Sequence, residues 1–122
     1  MNAIKAVTDA NLALAGVGVA HHFGGGSYVK ETKIPAGASL RQHAHSHDHI
    51  SYLVSGQVVV RVDGEATTVT GPCPMLIRAG QEHGLTAMTD ALWLCIWATD
   101  LEDPEAVDDA VVSGKPLHER KE

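Results

Sequence analysis

Cysteine is scarce in this chain. Cys73 and Cys95 are the only two in 122 residues and form no CxxC pair, which excludes a disulfide framework and a cysteine zinc site. Both read as small buried apolar residues, with Cys95 the one that could line a pocket. Positive charge is also in short supply. Nine Lys and Arg stand against fifteen Asp and Glu, a net charge of −6. Such a chain has no basic footprint for nucleic acid or an anionic membrane surface, so neither is expected as a partner. Apolar runs are far too short to cross a bilayer, and residues 1–20 lack the basic start and continuous apolar centre of a signal peptide. A soluble cytoplasmic protein is the expectation. No nucleophile elbow, phosphate loop or dinucleotide fingerprint occurs, because GGGS at residues 24–27 lacks the required spacing and flanking elements.

What the chain does have is a histidine-rich stretch between Gly37 and Gly56, in which His43, His45, His47 and His49 occupy every second position. Side chains two apart on a strand share one face, with backbones roughly 6.6 Å apart, so two neighbouring histidines can chelate one ion. A straight strand cannot use all four, since His43 and His49 would lie roughly 20 Å apart at about 3.3 Å per residue. The chain must therefore bend inside the run. Ser46 and Asp48 are turn-tolerant and stand where the bend is needed. The expected layout is strand, short turn, strand, with ligands on both arms.

The remaining chain is one domain's worth, and 44% apolar residues suffice for one core. Thr8 or Asp9 can cap a short helix over residues 9–15 that Gly16 stops. Residues 17–22 suggest a strand whose His21 and His22 point to opposite faces, so at most one could join a site. Alternation predicts a strand over Ser27–Ile34, a turn at Pro35–Ala38 with proline second and glycine third, and a strand over Ser39–His45. Strands over His49–Val54 and Gln57–Val62 follow, then a hairpin at Asp63-Gly64 leading into EATTVT. Gly71-Pro72-Cys73-Pro74 interrupts, Met75–Arg78 resumes, and His83–Met88 and Ala91–Ala98 complete the set. Many short strands with regular turns form the pattern of an all-β sandwich or barrel. Asp103 caps and Pro104 opens a helix to about Val112 that Ser113-Gly114 ends. His118, in the polar tail, reads as solvated. The expected division is an N-terminal extension over 1–26, a barrel over 27–100, and a short helix and tail over 101–122. Ile50–Val54, Val58–Val60 and Leu92–Trp97 are apolar on both faces, so something should cover the outer face: the C-terminal segment or, preferred here, a second subunit in a homodimer.

These residues resemble the cupins, small double-stranded β-helix (jelly-roll) barrels. Gly37, His43, His45, His49 and Gly56 fall at the spacing of the family's first motif, G-x(5)-H-x-H-x(3,4)-E-x(6)-G, with His49 in place of glutamate. Gly71, Gly80 and His83 match the second, G-x(5)-P-x-G-x(2)-H-x(3)-N, with one extra residue after Gly71, Arg78 in place of proline and Ala87 in place of asparagine. Asp48-His49 also looks like a subgroup of small cupins, some phage-encoded, with an HxHxxDH motif. The resemblance implies His43, His45, His49 and His83 as ligands of one metal inside the barrel, with His47 the spare. A competing register uses His45 and His47 as the chelating pair, at the cost of leaving little room for the bend.

Several imidazoles packed together without a metal would need many hydrogen-bond partners and repel one another when protonated, which favours a metal site over a core feature. Imidazole in place of glutamate removes a negative charge from the ligand set and suits zinc, iron or nickel better than manganese. This sets the manganese-dependent oxalate chemistry of some cupins aside. Asp48 could accept a hydrogen bond from the far nitrogen of a ligating histidine or cap the turn. Arg41 shares the parity of His43 and would face the cavity on a regular strand, where it could bind an anionic group; a rim salt bridge is the alternative. Trp93 and Trp97 line either the cavity or a subunit interface. The expected function is a small-molecule enzyme of dioxygenase, isomerase, lyase or cyclase type with one divalent transition ion. The alternative is a non-catalytic, metal-stapled ligand-binding or structural module, whose four histidines would form a closed tetrahedral zinc shell.

Overall fold

The computed structural model describes residues 16–42 and 46–118. Among them are nine strands and a helix: β1 (Gly18–Gly24), β2 (Ser27–Ile34), β3 (Ser39–Gln42), β4 (His49–Ser55), β5 (Gln57–Val62), β6 (Glu65–Thr70), β7 (Cys73–Ile77), β8 (His83–Ala87), β9 (Ala91–Ala98) and α1 (Pro104–Ser113). All ladders are antiparallel. One sheet runs β1-β2-β9-β4-β7 and the other β3-β8-β5-β6. Spatial neighbours such as β4 and β9, or β3 and β8, are distant in sequence, and this folds two sheets into a jelly roll rather than a meander. The helix expected over 9–15 lies outside the described residues.

Period-two burial explains the strands. On β9, Ala91, Trp93, Cys95 and Trp97 are buried and the residues between them are not; on β8 His83, Leu85 and Ala87 alternate in the same way. Leu85, Ala87, Ala91, Trp93 and Cys95 join Leu53, Val58 and Val60 in one core between the sheets. Asp63 and Gly64 take φ of 48° and 85° at the β5–β6 hairpin, the left-handed pair that a two-residue turn demands. Gly56 is required for space as well as conformation. Its φ is 93°, and a Cβ there would stand 2.3 Å from the Asp90 carbonyl oxygen.

Several boundaries differ from the sequence expectation. β1 pairs with β2 along its whole length, from Gly18 opposite Lys33 to Gly24 opposite Ser27, so the sheet begins within the segment read as an extension. Proline takes the first place, not the second, in the turn after β2: the Ala38 N–H donates to the Pro35 carbonyl at 3.1 Å, with Gly37 third. β7 begins at Cys73 rather than Met75. Pro74 is tolerated inside it because β7 is an edge strand, whose outer ladder needs no donor.

α1 is built as its sequence dictates. The Asp103 carboxylate accepts the Glu105 N–H at 3.2 Å, proline opens the first turn, and Gly114 ends the helix at φ 82°. Capping of this kind contributes about 1 kcal/mol. The helix does not cover the outer face of the first sheet. Val107, Ala110 and Val111 pack instead on Tyr28 and Trp97, residues of inward parity on β2 and β9. The segment after the last strand thus closes one end of the barrel. Thr99 reinforces it by donating from its hydroxyl to the Leu117 carbonyl.

Candidate metal centre

The bend between β3 and β4 is anchored on both sides. The Ser46 N–H donates to the Val111 carbonyl at 2.7 Å, and His47 Nε2 donates to the Lys115 carbonyl at 2.9 Å. Asp48 Oδ1 accepts the Ala79 N–H at 2.7 Å, which ties this bend to the turn preceding His83. Among the described residues Asp48 therefore acts on the loop backbone, and His47 is turned toward the C-terminal segment.

Beyond the bend, His49 is the first residue of β4 and His83 the first of β8, on opposite sheets. Both face inward, at 4% and 6% exposure. Their ring centroids are 5.8 Å apart, with planes tilted by 49°. Metal–nitrogen bonds of about 2.1 Å place each ring centroid roughly 3.2 Å from a shared ion, so two imidazoles can lie up to about 6.5 Å apart and still hold it. The pair fits that limit.

Protonation also suits the task. Burial strips water from His83 and pushes its pKa below the ordinary histidine value, partly opposed by the Gln81 carbonyl, which lies 3.4 Å from Nδ1 and accepts its proton. A proton held on Nδ1 puts the lone pair on Nε2, the tautomer that a backbone carbonyl selects in metal-ligating histidines. Because the unfolded chain takes up this proton at about pH 6.5 and the folded chain resists it, the metal-free fold loses stability as pH drops below that point. His49 is oriented from two sides. Ser51 Oγ lies 3.2 Å from its Nε2 and 3.8 Å from Cys95 Sγ, and the ring stacks on Trp97 with centroids 4.0 Å apart.

His43 and His45 lie outside the described residues. Among the described residues no group of three His, Cys, Asp or Glu side chains gathers as a metal site; the structure brings together His49 and His83. A donor set of buried imidazoles, His83 with its pKa lowered and Nε2 left to accept a metal, fits a borderline ion such as zinc, iron or nickel. His21 and His22 have other partners among the described residues. His21 Nδ1 lies 2.6 Å from the Tyr28 hydroxyl, and His22 reaches Glu31 at 3.5 Å on the other face of β1. His118 is exposed. Arg41 departs from the expectation. It sits beside buried Leu40 and opposite Gly84, on the outer face of the second sheet, because inward parity on β3 belongs to Leu40.

A cavity of about 450 Å³ has walls that include Val60, Val62, Val69 and Met75, with Asp63, Glu65, Thr67 and Gln81 at its polar side; it reaches strand neighbours of the pair rather than the two rings themselves. Val62 lies directly across from His83 in the β5–β8 ladder, and Met75 across from Ser51 in the β4–β7 ladder. Its lining is carried mainly by β5, β6 and β7, the last two being edge strands of the two sheets. Sequence reasoning missed Ser51, Gln81 and this lining. Ser51 was within reach, since it is two residues beyond His49 on one strand; Gln81 acts through its carbonyl, which no side-chain pattern reveals.

Comparison with known proteins agrees with this architecture. An RmlC-like cupin from Shewanella frigidimarina aligns with a TM-score of 0.60 at 24% identity, over 67% of this chain and 75% of that one. A predicted oxalate decarboxylase from Thermotoga maritima aligns with a TM-score of 0.58 at 19% identity, over 66% and 77%. A salicylate 1,2-dioxygenase from Pseudaminobacter salicylatoxidans gives 0.62 at 14%, over 68% of this chain and 26% of the dioxygenase. Searching the curated proteins returned no match. The cupin domain family matches residues 30–97, which is 68 of the 122 residues and spans β4 to β8 with both histidines, and the chain accordingly belongs to the cupin family.

Proposed function

We propose that this cupin is a metal-dependent enzyme acting on a small molecule, with His43, His45, His49 and His83 as the ligands of one divalent transition ion. The convergence of His49 and His83, with a cavity walled in part by Val62 across from His83 and Met75 across from Ser51, carries the reading. An ion bound there would supply Lewis acidity toward a substrate oxygen and, if it is iron, reactivity with dioxygen. The rest falls to the protein. His83 stays neutral through burial, Gln81 holds its proton on Nδ1, and Trp97 fixes the plane of the His49 ring. Val60, Val62, Val69 and Met75 keep water from the reacting carbon atoms. Among the described residues the walls of the cavity carry the carboxylates Asp63 and Glu65 and no lysine or arginine. A small, largely apolar substrate that is uncharged or cationic therefore suits it better than a dianion such as oxalate. Dioxygenase, isomerase, lyase and cyclase chemistry all remain within this description, and the dioxygenase and oxalate decarboxylase relatives support metal chemistry in general terms.

Elemental analysis of the purified protein, followed by turnover assays with neutral enolisable and 1,3-dicarbonyl compounds beside oxalate, tests the proposal. Bound zinc, iron or nickel near one per chain and turnover of a neutral compound are expected. No bound transition ion, or turnover of oxalate alone, would overturn it. A full metal site that is inert to every compound and accompanied by a large drop in Tm on chelation would favour the stapled structural module instead.

We further propose that two copies associate through the outer face of the first sheet. Ile50 and Leu76, directly paired across β4 and β7, are 41% and 48% exposed, and Ile96 lies across from Ile50 on the other side. α1 leaves this face uncovered, and a two-fold contact would bury it against its own copy. Light scattering should give a dimer mass for the wild type and a monomer mass for Ile50→Glu with Leu76→Glu; a monomeric wild type would refute the association.

A further inference from the structure

Two arginines stand on the outer face of the second sheet, over a depression whose rim also reaches His83. Arg41 on β3 and Arg61 on β5 both stand directly opposite Gly84 of β8, which runs between them. Across two strand spacings of about 4.8 Å, the two side chains flank a residue that has no side chain of its own. Glycine is enforced there, because a Cβ on Gly84 would stand 2.8 Å from the Leu40 carbonyl oxygen. The floor between the arginines is therefore low, and a depression of about 520 Å³ lies over it. Arg61 leans across β8: its Nη1 donates to Thr86 Oγ1 at 3.0 Å, and Thr86 Oγ1 lies 2.8 Å from Ser39 Oγ. Neither guanidinium is ion-paired with a carboxylate among the described residues, although Glu82 borders the same depression.

Two positive groups held over one glycine, in a chain whose net charge is −6, repel each other unless an anion lies between them. We infer that Arg41 and Arg61 form a binding site for a phosphate-type dianion on the outside of the barrel, with the Ser39 and Thr86 hydroxyls alongside. Two guanidiniums match the charge of a phosphate group, and each can donate a pair of parallel hydrogen bonds to its oxygens. The acidic molecule supplies no long-range attraction, so recognition comes from these short contacts and weakens as salt rises.

Amide chemical shifts of the full chain, followed while inorganic phosphate, glycerol phosphate or acetate is added at low ionic strength, test the inference. Saturable shifts at Ser39–Arg41, Arg61 and Gly84–Thr86 are expected in the millimolar range with phosphate, and weaker ones with acetate. Arg41→Gln and Arg61→Gln, both at exposed positions, should each weaken phosphate binding about tenfold, the loss of one charge-assisted pair. Glycerol phosphate binding as well as phosphate would identify a phosphomonoester site; phosphate binding alone would identify the free ion. Shifts confined to the surroundings of His49 and His83, no saturation with either phosphate, or equal affinity in the double variant would overturn the assignment.

Discussion

Replacement of His83 by alanine is expected to lower zinc affinity by at least a hundredfold and leave the barrel folded. Even partners that only orient a ligand cost about 10- to 100-fold when lost, and His83 is assigned as a ligand. Folding should survive because the core between the sheets is made by Leu53, Val58, Val60, Leu85 and Trp93 and needs no imidazole. His49→Ala should behave alike. His47→Ala is the contrast: this ring donates to the Lys115 carbonyl, so its loss should change zinc affinity only a fewfold, through a looser bend. Competition against a chromophoric chelator, with circular dichroism on the same samples, measures both. Unchanged affinity in the His83 variant would remove the site from the second sheet.

Trp97→Ala is expected to be the most damaging single change to stability, costing about 3–5 kcal/mol. Trp97 is 3% exposed and belongs to the cluster with Tyr28, Val107, Ala110 and Val111, while its ring also stacks on His49. One truncation thus opens a cavity under α1 and frees the ring plane of His49, a proposed ligand, so zinc affinity should fall with stability. Trp93→Ala separates the two effects. Trp93 is 1% exposed but lies in the other cluster, so it should cost comparable stability and spare the affinity. Denaturant midpoints and zinc titrations of both variants provide the check. Equal affinity in the two would show that the stack on His49 has no part in metal binding.

The alternation of β9, the Asp63-Gly64 hairpin and the Asp103-Pro104 helix start could all be read from the chain, because each is decided by residues within a few positions of one another. The pairing of His49 with His83 was accessible only through motif spacing, since nothing local in either segment points to the other. Arg41 shows where parity fails. Counting in twos from His43 sent it inward, whereas the ladder with β8 places Leu40 inward opposite Leu85 and Arg41 outward opposite Gly84. The choice between the C-terminal segment and a second subunit as the cover of the outer face stayed open for a related reason: composition shows that an apolar face needs a neighbour, but which surface α1 meets depends on where Tyr28 and Trp97 end up in three dimensions.

Because α1 packs on Trp97, and the ring of Trp97 in turn stacks on His49, the C-terminal segment and a candidate metal-binding histidine share one side chain. Cutting the chain ahead of α1 should therefore loosen that imidazole as well as uncap the barrel.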